Sequence, residues 1–145
     1  VKALIQRVSR ASVEVQGLTV GAIGCGLLVL LGVERGDAEA NTIKMAQRLC
    51  AYRVFADSEG KMNKSLLDIG GSVLLVSQFT LAADTKKGLR PGFSCAAPPS
   101  EADRYYLLLA QLIGQQGIHV ETGEFAADMA VSLVNDGPVT FLLES

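Results

Sequence analysis

The chain has 145 residues, 49% of them apolar and 19% charged. That fits one domain able to bury about 68–70% of its unfolded surface, and it excludes a disordered chain. A net charge of −2 and a pI near 5.4 exclude a protein that grips a long nucleic acid through many phosphates, so any such partner is expected to be held over a small footprint such as one end.

Residues Ala3 to Val8 and Ala11 to Val15 are β-rich, and Gln16-Gly17 offers a hairpin turn into Leu18 to Ile23. Gly24-Cys25-Gly26 breaks the chain again before Leu27 to Val33, apolar throughout like a strand covered on both faces. The longest apolar run, Leu27 to Leu31, is far short of the ~20 residues that span a bilayer, so no membrane partner is expected. Asp37 is placed to cap a helix to about Tyr52, with Ile43, Ala46, Leu49 and Cys50 on one buried stripe. Arg53 to Ala56 reads as a strand and Asp57 to Gly60 as a turn. Gly70-Gly71 introduces Ser72 to Leu81, the most strongly buried strand candidate.

Residues Ala83 to Pro99 form a loop rich in Lys, Gly and Pro, and a loop of that length inside a compact domain is often functional. Ser100 with Asp103 resembles a capping box, opening a helix to about Gln116. Ile118 to Glu121 and Met129 to Val134 read as strands, Asn135-Asp136-Gly137-Pro138 as a turn, and Val139 to Leu143 as a closing strand. The expected fold is α+β: a curled, barrel-like, mostly antiparallel sheet with two packed helices, one domain over residues 1–145.

Catalytic options are few. His119 is the only histidine, and Cys25, Cys50 and Cys95 form no CxxC pair, so neither a metal nor a cofactor is expected. With no signal-like N-terminus, the cysteines read as reduced thiols of a cytoplasmic protein. A Ser-His-Asp triad would have to use His119, better read as a strand-edge residue. Gly24-Cys25-Gly26 is too short for a phosphate loop, and Glu121 with Glu124 has no apolar setting.

Two segments remain. In Ser77-Gln78-Phe79-Thr80-Leu81, polar residues interrupt the end of a buried strand. A regular strand sends Ser77 and Phe79 one way and Gln78 and Thr80 the other, so either the strand bends or some residues act through backbone N–H groups. Chemistry alone equally allows Ser77 and Thr80 merely to satisfy local backbone. The second segment, Asn135 to Thr140, is on its own an ordinary turn.

Together, S-Q-F-T-L at 77–81 and N-D-G-P-V-T at 135–140 resemble the two signature motifs of the D-aminoacyl-tRNA deacylases, also called D-tyrosyl-tRNA deacylases. So do A-L-I-Q-R-V at 3–8, G-L-L-V-L-L-G-V at 26–33, G-K-M-N at 60–63, R-P-G-F at 90–93 and F-A-A-D-M at 125–129, so that the resemblance runs nearly end to end. It implies hydrolysis of the ester joining a D-amino acid to the terminal adenosine of tRNA, by a homodimer. It implies a cis Gly137-Pro138 peptide that enters the partner subunit's site as the chirality gate.

On the same resemblance Gln78, Phe79 and Thr80 are the catalytic candidates, and Ser77, Ala102, Phe125 and Met129 join Gly137 and Pro138 in binding substrate. Backbone N–H groups near Gln78 and Phe79 are expected to form an oxyanion hole. Thr80 is the obvious hydroxyl nucleophile, yet its motif holds no base to activate it, which favours help from the substrate's own ribose 2′-hydroxyl. Arg7, which breaks an apolar strand, is expected either to brace the Gly-Pro loop or to lie at the surface. The rival reading is a non-catalytic dimeric module that binds RNA or a nucleotide in the same cleft. A small-molecule enzyme that uses proline or glycine turns for chiral recognition is the weaker third.

Overall fold

The structure is a computed structural model describing residues 1–145. Strand β1 (Lys2–Val15) organises the sheet. Gln16 and Gly17, both at positive φ (51° and 77°), turn it tightly into β2 (Leu18–Ile23) in the manner of a primed hairpin turn. The first half of β1 pairs with β3 (Gly26–Gly32) and its second half with β2. Its other edge carries the last strand, β8 (Ala130–Glu144). The two β-rich stretches expected at the N-terminus are therefore one strand.

After β3 the chain crosses over through helix α1 (Glu39–Ala51), a small hairpin of β4 (Phe55–Ala56) and β5 (Met62–Lys64), and a one-turn helix α2 (Leu66–Ile69). It returns as β6 (Ser72–Ser77), parallel to β3. Helix α3 (Pro99–Gln115) then leads to β7 (Val120–Thr122), parallel to β6. The main sheet is mostly antiparallel, as expected, and β3–β6 and β6–β7 are its parallel pairs because both returns run through helices. Its ends curl together: a Cβ added at Gly21 of β2 would stand 2.7 Å from the Thr122 carbonyl of β7, an approach that only glycine permits.

Strand β3 and the Val73–Val76 interior of β6 are apolar because they divide two cores. Leu27, Val29, Leu31, Val73 and Leu75 face the helices with Met45, Leu49, Tyr105, Leu109 and Ile113. Leu28, Leu74 and Val76 face into the curl with Val8, Val13 and Ile23.

Several local expectations are corrected. Helix α1 starts after Ala38, not Asp37, whose carboxylate instead accepts the Glu34 N–H. Ile43 is exposed, and the buried stripe is Thr42, Met45, Ala46, Leu49 and Cys50. Ser100 and Asp103 form no capping box, since Pro99 opens α3 as its first residue, where a missing N–H costs nothing. Asn135 to Pro138 does not reverse the chain. Residues on either side pair antiparallel with the same strand β1, so the segment is a bulge within β8.

Candidate active site

β6 ends at Ser77, and the Gln78 N–H donates to the Leu31 carbonyl at 2.7 Å. The chain then folds into a single 3₁₀ turn, Phe79–Ala82, instead of extending to Leu81 as expected. Gly32 makes room for it: a Cβ there would meet the Leu81 Cβ at 2.9 Å and the Gln78 carbonyl oxygen at 3.3 Å. Of the two alternatives left by the alternation of Ser77, Gln78, Phe79 and Thr80, the chain takes the bend. It also reassigns the backbone donors. The Gln78 N–H is occupied, whereas Phe79 and Thr80 open the turn, and the first N–H groups of a helical turn have no partner inside it.

Beside this turn lies a cleft of about 680 Å³, within the range of small-molecule sites. Val76, Ser77, Gln78 and Phe79 form one wall, and Ala96, Ala97, Pro99 and Ala102 a second. Phe125 to Met129 and Val131 complete it. Phe125 is held by Tyr106, at 6.0 Å between ring centroids, and the Tyr106 hydroxyl donates to the carbonyls of Leu75 (3.1 Å) and Gly123 (3.4 Å). Burial pushes the Tyr106 pKa up. Ala126 lines the cleft at φ 64°, an uncommon conformation for a residue with a Cβ. The only ionisable side chain in the lining is that of Asp128.

The fold therefore brings Ser77, Gln78, Phe79, Ala102, Phe125 and Met129 together. Thr80 does not line the cleft, and its hydroxyl accepts a hydrogen bond from Gln78 Nε2. His119 stands exposed beside Glu121, with 3.3 Å between Nε2 and Oε2. The small residues Ala96 and Ala97 and the acidic Asp128 escaped the residue-level reading. Alanine carries no chemical signal, and Asp128 was visible only inside the family-like stretch 125–129.

Gly137 and Pro138 form a separate feature and do not line this chain's own cleft. Their peptide bond is cis. Between the paired residues Val8–Asn135 and Gln6–Thr140, the chain from Asp136 to Val139 stands opposite Arg7 alone. Arg7 lies at the foot of this bulge, its side chain 14% exposed. Its Nε donates to the Asp136 carbonyl at 2.9 Å and its Nη1 to the Val54 carbonyl at 2.8 Å. Inside the bulge, Asn135 Oδ1 accepts the Val139 N–H at 3.0 Å, and Asn135 Nδ2 donates to Thr140 Oγ1 at 3.1 Å.

A barrel-like sheet with an apolar cleft at the end of a buried strand defines a small-molecule or chain-end site. Comparison with known proteins names the class. Residues 4–144 match the family described as D-Tyr-tRNA(Tyr) deacylase. The chain belongs to this D-aminoacyl-tRNA deacylase family, hydrolases acting on tRNA esters. It is 62% identical to the D-aminoacyl-tRNA deacylase of Vibrio cholerae and 59% identical to that of Pectobacterium atrosepticum, each over 99% of both chains. Among solved structures, a c-Myc DNA unwinding element binding protein superposes with a TM-score of 0.94 at 40% identity, covering 100% of this chain and 99% of that one. A probable eukaryotic D-amino acid tRNA deacylase shares the fold, with a TM-score of 0.83 at 16% identity over 99% of this chain and 98% of that one.

Proposed function

We propose that the cleft takes the aminoacyl-adenosine end of tRNA and that the ester is cleaved without a protein base or nucleophile. The observation that carries this reading is the lining itself. It is largely apolar, has Asp128 as its only ionisable side chain, and abuts a turn whose opening N–H, that of Phe79, can receive a developing oxyanion. One such donor is worth about 2.7–4 kcal/mol to the transition state. With no base within the 77–81 motif to deprotonate the Thr80 hydroxyl, the ribose 2′-hydroxyl of the substrate assists water or attacks. Thr80→Ala retaining most of its activity supports this route, and a covalent acyl-Thr80 adduct in mass spectrometry overturns it.

Handedness needs a further element. A 10⁴-fold preference for one enantiomer corresponds to about 5.4 kcal/mol, more than the roughly 1–3 kcal/mol that pocket fit gives for one methylene. A rigid main-chain wall where the L side chain would sit supplies the rest, because packed atoms do not yield cheaply. We assign that wall to Gly137-Pro138, braced by Arg7. Since this element stands away from its own cleft, it serves a second copy of the chain. Strand β8 supports such a homodimer: it pairs only with β1, and Val134, Phe141 and Leu142 are 40%, 38% and 50% exposed along it. A gate of backbone does not read side-chain identity, so D-tyrosyl- and D-aspartyl-tRNA are turned over comparably and glycyl-tRNA passes as well.

No helix is long and apolar enough to cross a membrane, and we place the enzyme in the cytoplasm with its substrate. Incubation with D-tyrosyl-tRNA, L-tyrosyl-tRNA and a simple D-tyrosine ester tests the reading. Release from the first alone is expected. No release favours the binding module, and equal release from the simple ester favours the small-molecule enzyme. Mixing a Gly137→Val variant with an Ala102→Trp variant, each inactive alone, restores activity if the site is shared between subunits.

A further inference from the structure

A net charge of −2 poses a question for an enzyme whose substrate is a polyanion, namely where its phosphates are received. Most basic side chains are already engaged. Lys2, Arg7, Lys61 and Arg104 pair with carboxylates, and Arg35, Arg48 and Arg53 donate to backbone carbonyls. Of the cations that make neither contact, Arg10, Lys44 and Lys64 are scattered over separate parts of the chain. Lys86, Lys87 and Arg90 stand within one short loop.

That loop is closed at its base. Asp84 and Gly92 exchange two backbone hydrogen bonds, 2.8 Å from the Asp84 N–H and 3.0 Å from the Gly92 N–H. The Asp84 carboxylate, itself exposed, accepts the Lys86 N–H at 3.0 Å. Every residue from Thr85 to Pro91 is exposed. The segment contributes nothing to either core, so packing does not explain why three cations are gathered there against one carboxylate.

Its base lies at the mouth of the cleft. Phe93, next to Gly92, holds its ring 5.2 Å from that of Phe79, which lines the cleft. Both rings are partly open to solvent, at 43% and 56%. The tip, three or four residues from that base, reaches at most about 14 Å outward. An acceptor strand whose terminal ester lies in the cleft carries its nearest phosphates within that distance.

We infer that the loop closed by Asp84 and Gly92 grips phosphates of the tRNA acceptor end through Lys86, Lys87 and Arg90, outside the chemistry. This rests on the cleft binding aminoacyl-adenosine, as proposed above. It reconciles an acidic protein with an RNA substrate by confining the electrostatic contact to one loop.

The test compares the wild type with a Lys86→Gln/Lys87→Gln/Arg90→Gln variant on D-tyrosyl-tRNA and on the D-tyrosyl ester of adenosine, which has no phosphate. Three phosphate contacts make wild-type kcat/KM on the tRNA fall roughly 20- to 40-fold between 50 and 200 mM salt. The variant is expected to lose most of that dependence, to raise KM for the tRNA about tenfold or more at low salt with kcat kept, and to cleave the adenosine ester like the wild type. A Lys44→Gln/Lys64→Gln control keeps the wild-type salt slope. An unchanged slope in the loop variant, a loss in kcat, or an equal loss on both substrates overturns the inference while leaving the deacylase reading in place. Failure of the wild type to cleave D-tyrosyl-tRNA removes that reading, and the loop's role with it.

Discussion

The turn at Phe79–Ala82 and the bulge at Asp136–Val139 are both short irregular segments at strand ends or interruptions, yet they are held in opposite ways. The turn is rooted in β6, whose Val73 to Val76 are buried on both faces, and it rests on Gly32. The bulge is exposed from Asp136 to Pro138 and is held by side-chain hydrogen bonds from Arg7 and Asn135. One segment is fixed by packing and the other by polar ties, so they should fail under different substitutions.

The largest effect is expected on the packed side. Leu75→Ala removes a fully buried side chain between the two helices' core and the sheet, and should lower unfolding stability by about 2–5 kcal/mol in urea titrations. Arg7→Ala comes next. It leaves two carbonyls without a charged donor, costs about 1.5–3 kcal/mol, and should reduce D-over-L selectivity more than turnover of D-tyrosyl-tRNA. Arg7→Lys should not restore selectivity, because one ammonium cannot replace the planar fork. If selectivity survives Arg7→Ala, the bulge is not held as described.

Asn135→Ala strips the acceptor from the Val139 N–H and should cost about 1 kcal/mol, with faster amide exchange at Val139 as the local readout. Tyr106→Phe should cost about 1 kcal/mol, since Leu75 O retains the Gly123 N–H as donor. Its clearer signature lies in pH dependence. Burial raises the Tyr106 pKa above its ordinary value of 10.0, so the unfolded chain loses this proton first. The associated stability is present below about pH 10 and is lost as pH rises through the folded value. The Phe variant should show a shallower alkaline decline, and an identical decline would mean that Tyr106 ionises freely.

Much of this molecule was legible from residue patterns. The unbroken apolar runs of Leu27 to Leu31 and Val73 to Val76 marked strands covered on both faces, because strands between two cores need no polar side. Gln16-Gly17 announced its hairpin through the positive φ such turns require. Polar residues at the end of a buried run singled out Ser77 to Thr80, and their alternation called for either a bend or a role for backbone N–H groups. The motifs at 77–81 and 135–140 carried the family.

Tertiary structure decided what pattern reading could not. Whether Asn135 to Pro138 reverses the chain or bulges depends on its flanks sharing β1 as a partner, a strand more than a hundred residues away in sequence. Which N–H groups are free at the Phe79 turn depends on Leu31 taking that of Gln78. The removal of Thr80 from the cleft, and the entry of Ala96, Ala97 and Asp128, are likewise set by how separate segments meet. Local patterns determine which residues are buried and where the chain bends, because those preferences act within a few residues. Hydrogen-bond partners and cleft walls come from distant segments, and only the assembled sheet fixes them.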